Sequence, residues 1–289
     1  MTQLAIAILC LFVLIIPAVY AHQPVMDMAP RWKGGYGFQT RYESRYSDKR
    51  LNGSAEVANP SALNKRVSKV WLEGIYTHTR ELRFTAKLPY IDQRRTVVEN
   101  GQRVEQTGTG MGDLVLGIPL KKYHNLKSST GSNSITPSIR FPTGSTSDPY
   151  PVSDGSTDFG ISVSVQRENR KTYRNYDLFY WVNTSGKRGI DKGNVLGMDI
   201  NLGYHPYHDN NKNQGIFVMA DIAARHEQMG RDDRGSITGG QRLSIGPVFV
   251  VYRNNFMARA EYRMPIYEKV KGTQLSHGPR LNLGAGLTF

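Results

Sequence analysis

Cysteine is nearly absent: among 289 residues only Cys10 carries a thiol, inside an apolar stretch at the start of the chain. That excludes a secreted domain stapled by disulfides. Long hydrophobic runs are equally scarce. Beyond residue 21 nothing reaches the roughly eighteen uncharged apolar residues that a spanning helix needs. A mean hydropathy of −0.46 is likewise too polar for a helical membrane protein. Helical periodicity is missing. So is a Walker-type phosphate loop, which removes the usual means of coupling to nucleotide hydrolysis.

What is there begins with "LAIAILCLFVLIIPAVYA" (4–21), an apolar core with a helix-breaking Pro17 and small residues that place a signal-peptide cut after Ala21. The preceding "MTQ" lacks the usual Lys or Arg, so an uncleaved anchor is the alternative. Cleavage leaves a mature chain without cysteine. The leader carries no charge, so the whole net charge of +13 belongs to the remainder. Such a basic chain raises nucleic acid as a partner, but an exported protein rarely meets it, and no nucleic-acid partner is expected. Anionic lipid headgroups or anionic solutes suit the compartment better.

Two-residue alternation recurs in stretches bounded by Gly, Pro, Asn and Asp. Leu82, Phe84, Ala86, Leu88 and Tyr90 form an apolar row against Glu81, Arg83, Thr85 and Lys87. Phe256, Ala258, Ala260, Tyr262, Met264 and Ile266 oppose Arg259, Glu261 and Arg263. Strands are predicted near 35–45, 68–78, 81–91, 112–121, 133–142, 157–167, 174–184, 194–206, 215–227, 241–252, 255–266 and 279–289. A soluble sandwich alternates as well, but the links here switch between long (46–67, 92–111) and short (79–80, 253–255). That is the loop pattern of an outer-membrane barrel. The fold class predicted is therefore all-β, an up-and-down antiparallel transmembrane β-barrel of about twelve strands. In this division residues 1–21 are a signal peptide, 22–34 an N-terminal periplasmic or lumen segment, and 35–289 the barrel.

The closing "LNLGAGLTF" (281–289) alternates to Phe289. It is similar to the C-terminal strand that the barrel-assembly machinery reads, with Phe289 as the assembly signal. Further in, "GMGDLVLGIPLKKY" (110–123), "SITPSIRFPTGS" (134–145) and "DGSTDFGISVSVQ" (154–166) resemble the meta-pathway phenol-degradation family of outer-membrane transporters. The resemblance implies a pore for small molecules, aromatic or otherwise hydrophobic, embedded in outer-membrane lipid. It carries over no substrate-binding residues and fixes no oligomeric state.

A barrel of about twelve strands falls between the filled eight-stranded type and the wide porins, so a narrow lumen is expected. The inward rows hold Arg83, Lys87, Arg140, Arg225, Arg259 and Arg263, mixed with Glu81, Asp113, Asp177, Asp199, Asp221 and Glu261. Charges in a confined space need partners, and an excess of positive ones would favour anions. Two other function classes have a foothold in the sequence. His22, Met26 and Met28, with His205 and His208 in "YHPYHD", offer soft ligands suited to copper. A lipid-modifying enzyme needs a nucleophile and base, for which His78 between Thr77 and Thr79 is the nearest approach. The favoured reading is a gradient-driven channel, not an enzyme, with neither cofactor nor resident metal.

Overall fold

The computed structural model describes Pro30 and residues 32–126, 129–209 and 211–289. The leader and Cys10, His22, Met26 and Met28 lie outside the described residues. The strands are β1 (Tyr36–Ser47), β2 (Arg50–Asn52), β3 (Ala55–Val57), β4 (Lys65–Thr77), β5 (Arg83–Glu99), β6 (Gln102–Met111), β7 (Leu114–Gly117) and β8 (Leu120–Leu126). They continue with β9 (Ser129–Phe141), β10 (Asp158–Asn169), β11 (Thr172–Val182), β12 (Val195–Asp209), β13 (Gln214–Arg231), β14 (Ile237–Arg253), β15 (Phe256–Val270), β16 (Thr273–Leu275) and β17 (Arg280–Thr288). Among the described residues no helix is long and apolar enough to cross a membrane, and the spanning is done by strands.

Neighbouring strands of the main sheet pair antiparallel, and the β9–β10 pairing closes it on itself. Segments β6, β7 and β8 are one stave broken at Gly112–Asp113 and Ile118–Pro119. Of these, β6 pairs only with β5, β7 lies between β5 and β9, and β8 pairs with β9. Counted this way the barrel has 12 staves. The expected long loop at 92–111 is instead a projecting β5–β6 hairpin, in which Glu99 faces Gln102 across Asn100 and Gly101. Both turn residues have positive φ, 51° and 79°, which is the two-residue turn that matches strand twist.

Both ends of the barrel chain lie at one rim, together with the short turns at 170–171 and 254–255. The opposite rim carries the long links 48–64, 142–157, 183–194 and 271–279. Alternation separates the two faces of the wall. Phe38, Leu72, Ile161, Leu178 and Phe249 are exposed on the outside. Exposed aromatic residues flank them, with Tyr36, Phe84, Tyr204 and Phe256 towards the terminus rim and Tyr46, Phe159 and Tyr267 towards the other, as in an interfacial girdle. In β14, apolar residues point both ways. Val248, Val250 and Tyr252 are buried inside with Tyr173, Phe217, Met219 and Met257, filling part of the lumen near the terminus rim.

The seam joins β17 to β1 and β15. Leu281 and Leu283 are exposed outwards while Asn282 and Thr288 are buried. At its end the Phe289 N–H donates to the Tyr36 carbonyl at 2.8 Å, and the Tyr36 N–H donates to the Phe289 carbonyl at 2.9 Å. The Phe289 ring meets Phe38 edge-on at 6.1 Å. Deleting Phe289 removes both bonds, each contributing on the order of 1 kcal/mol. The expected result is about 2 kcal/mol less resistance to urea unfolding in detergent, read from heat-modifiable gel mobility.

The long links are tied down. Strand β16 pairs with β2, and β2 with β3, as a small sheet above the wall. Loop 142–157 sits against β5 and β6. Gln93 Nε2 donates to the carbonyls of Tyr150 (3.2 Å) and Pro151 (2.7 Å). A Cβ at Gly108 would come within 1.7 Å of the Tyr150 carbonyl oxygen, so only glycine admits the loop there. The Arg95 guanidinium lies 4.3 Å from the Tyr150 ring and grips Asp233 of the next loop with bonds of 2.8 and 2.6 Å. Lys192 meets Asp154 at 2.6 Å.

Burial opposes ionisation of Asp154, but Lys192 and Ser156 outweigh it and hold the carboxyl below its ordinary 3.8. Burial of Asp233 is outweighed in the same way by Arg95. Depressed carboxylate pKa values contribute stability that is complete above the ordinary value and lost as pH falls through the folded one. Loop docking should therefore be unchanged from neutral pH down to about pH 5 and weaken only below about pH 4. Limited proteolysis of loops 142–157 and 232–236 across pH checks this, and Arg95→Ala should open the same sites at neutral pH.

Candidate functional site

Two cavities occupy the lumen. One of about 520 Å³ lies towards the long-loop rim, with Lys69, Asp113, Val152, Lys192, Arg242 and Glu268 in its wall. The other, about 490 Å³, lies towards the terminus rim, with Gln39, Arg41, Glu73, Lys87, Ser138 and Asp177 in its wall. Both touch Trp71, Val115, Arg140, Phe179 and Trp181, which therefore form the waist between them.

The waist follows from the register of β10, β11 and β12. Alternation in β11 turns Asp177, Phe179 and Trp181 to the same side, where Phe179 faces Gly197 and Trp181 faces Gly160. A Cβ on Gly160 would lie within 2.9 Å of three Trp181 ring atoms, and one on Gly197 within 2.7 Å of three in Phe179. Each ring thus rests on bare backbone. A guanidinium lies near each ring, Arg140 at 4.6 Å from the Trp181 centroid and Arg225 at 4.7 Å from that of Phe179. Both cations are anchored: Arg140 bonds the fully buried Asp158 at 2.9 Å, and Arg225 grips both Asp199 oxygens at 2.8 Å. Trp71 is flanked by Arg41 at 5.3 Å and Lys69 at 5.6 Å. Guanidinium on aromatic face is an attractive cation–π arrangement.

Of the residues singled out in the sequence, Lys87, Arg140 and Arg225 line these cavities. Arg259, Glu261 and Arg263 belong to a network in the wall of β12, β13, β15 and β17. Glu261, 2% exposed, meets Arg259 at 2.5 Å, Arg280 at 2.9 Å and Arg263 at 3.3 Å, and Arg263 also meets Asp221 at 2.5 Å. Arg83 is buried near the terminus rim, where it donates to the Tyr123 hydroxyl. Glu81, read as inward, is exposed in the turn before β5, where the wall has not yet begun. His78 lies in the same turn, its ring near those of Tyr76 (6.3 Å) and Phe84 (6.4 Å). No three His, Cys, Asp or Glu side chains converge on a metal-sized gap among the described residues.

The aromatic waist, Lys69 and Arg242 escaped the sequence reading, whereas Lys87 was among the inward residues it named. Across the sheet Lys69 faces Glu43, Lys87 faces Glu73 and Arg242 faces Glu268, none of them as a close ion pair among the described residues. The phase of β11 held the signal, because Phe179 and Trp181 stand two and four residues from Asp177, already placed inward.

Among solved structures the chain is similar to an outer membrane channel from Pseudomonas putida F1. The identity is 14%, the match covers 95% of this chain and 100% of that one, and the TM-score is 0.67. It also matches the translocator domain of the autotransporter NalP from Neisseria meningitidis, at 13% identity, 89% of each chain and TM-score 0.43. A third match is the beta domain of the Bordetella autotransporter BrkA, at 11% identity, 89% of this chain, 100% of that one and TM-score 0.48. No curated protein matches. Residues 61–265 match the family model described as MetA-pathway of phenol degradation, so the greater part of the barrel, waist strands included, is accounted for and the chain belongs to that family of outer-membrane barrels.

Proposed function

We propose that the lumen conducts small aromatic anions, with aromatic carboxylates as the type, down their own gradient. The observation that carries this is the waist: two cavities meet where Trp71, Phe179 and Trp181 stand beside guanidinium groups. A planar ring slides along aromatic and guanidinium faces with favourable contact. Its carboxylate is met above the waist by Lys69 and Arg242 and below it by Lys87, in linings that hold more Lys and Arg than Asp and Glu. An excess of one sign of charge in a narrow lumen raises the local concentration of the opposite sign. The family's description in terms of phenol degradation supports cargo of this class. Outer-membrane lipid surrounds the wall, and Phe289 is the residue the barrel-assembly machinery engages. No cofactor enters this scheme.

Planar-bilayer recording separates the two contributions. Combining Lys69→Gln, Lys87→Gln and Arg242→Gln should lower the anion-to-cation permeability ratio. Trp181→Ala should shorten benzoate blockades by about fivefold, the equivalent of about 1 kcal/mol of ring contact, and leave acetate unaffected. Unchanged ion selectivity in the triple variant, or equal response to benzoate and acetate in wild type, would refute the proposal. Neutralising Arg259 and Arg263 strips partners from Glu261 and Asp221, so it should impair folding before it alters selectivity.

A further inference from the structure

A second constellation lies apart from the waist, inside the wall near the terminus rim. His205 Nε2 is 3.1 Å from the Tyr252 hydroxyl, and His208 Nδ1 is 2.8 Å from the same oxygen. The two imidazole centroids are 4.6 Å apart. On a regular strand, residues three apart point to opposite faces. Here β12 carries one extra residue against β13, since Tyr204 faces Val218 while Tyr207 already faces Ile216. This bulge turns both histidines towards Tyr252 on β14, and bulges re-aim side chains in this way beside functional sites.

Two further features hold the arrangement. The His205 ring is stacked on Phe217, with centroids 3.9 Å apart and an 11° tilt. Gly215, on the intervening β13, has no side chain to intrude: a Cβ there would come within 2.5 Å of both His205 Nε2 and the Tyr252 hydroxyl. His205 and Tyr252 are buried, whereas His208 is exposed and gives access from solvent.

We propose that His205, His208 and Tyr252 bind one divalent transition metal ion, Zn(II) or Cu(II). Imidazole nitrogen is a borderline donor that suits these ions, and the phenolate adds a negatively charged oxygen beside the two. A tetrahedral ion about 2.0–2.1 Å from each donor sets donor separations of about 3.3 Å. The two separations to the hydroxyl therefore need to widen only by a few tenths of an ångström. In the metal-free triad the phenol donates to one imidazole and accepts an N–H from the other. On binding, the ion takes the lone pairs of both imidazoles and of the phenolate, and the phenol proton leaves to solvent. The fourth position is open to water. The bound ion ties β12 to β14 across β13 at the mouth of the barrel.

Titration of the purified, detergent-solubilised full chain with ZnCl₂ and CuCl₂ by calorimetry tests this, with His22→Ala added to silence the mature N-terminus. One ion per chain with micromolar or tighter affinity is expected, falling at least thirtyfold in His208→Gln. With Cu(II), a tyrosinate-to-copper charge-transfer band should form and vanish in Tyr252→Phe. His208 is exposed, so that variant keeps the fold, which gel mobility verifies. Absence of binding below millimolar, or binding that both variants leave unchanged, would overturn the assignment.

Discussion

Hydrocarbon offers no partner for a backbone N–H or carbonyl, so each strand in the wall must be bonded on both sides by other strands. Everything else in this protein is arranged around that requirement. The β17–β1 seam, the staggered β6–β7–β8 stave and the β9–β10 closure are the places where it is hardest to meet. Prolines mark the strain. Each lacks an N–H to donate, but Pro89 still accepts from the Gly112 N–H at 2.7 Å, and Pro137 from the Ile118 N–H at 3.0 Å, which keeps their carbonyls in the ladder.

The same closure decides what the interior can be. Side chains from every second position crowd into a lumen with too little water to solvate them, and ionised groups there must find one another. Around Glu261 they do, with three arginines sharing one carboxylate. On the β4–β5 side and at Arg242 each cation also has a carboxylate across the sheet, yet the cavity linings hold more Lys and Arg than Asp and Glu. The fixed structure of the wall and its selectivity thus draw on one set of residues, divided by how closely a carboxylate approaches each cation.

The strands and their sidedness were legible because alternation is a direct imprint of a two-faced wall. Leu82 to Tyr90 and Phe256 to Ile266 announce their lipid face in any order of reading. Where both faces are apolar, as from Val248 to Tyr252, the pattern carries no direction, and the buried cluster there was invisible. The hairpin at Asn100–Gly101 was hidden by polar residues on strands that project beyond the membrane. Pairing partners such as Gly160 for Trp181 depend on register, which no single strand records. Several inward Arg and Lys could be named from sequence, but how closely a carboxylate approaches each is a property of neighbouring strands.

The two rings of the waist already lie flat on glycine backbone, with a guanidinium near each. The backbone beneath each ring leaves it no room to retreat further towards the wall at Gly160 and Gly197. Any larger residue at either glycine would push a ring inwards, so two positions with no side chain of their own help to set the width at the waist.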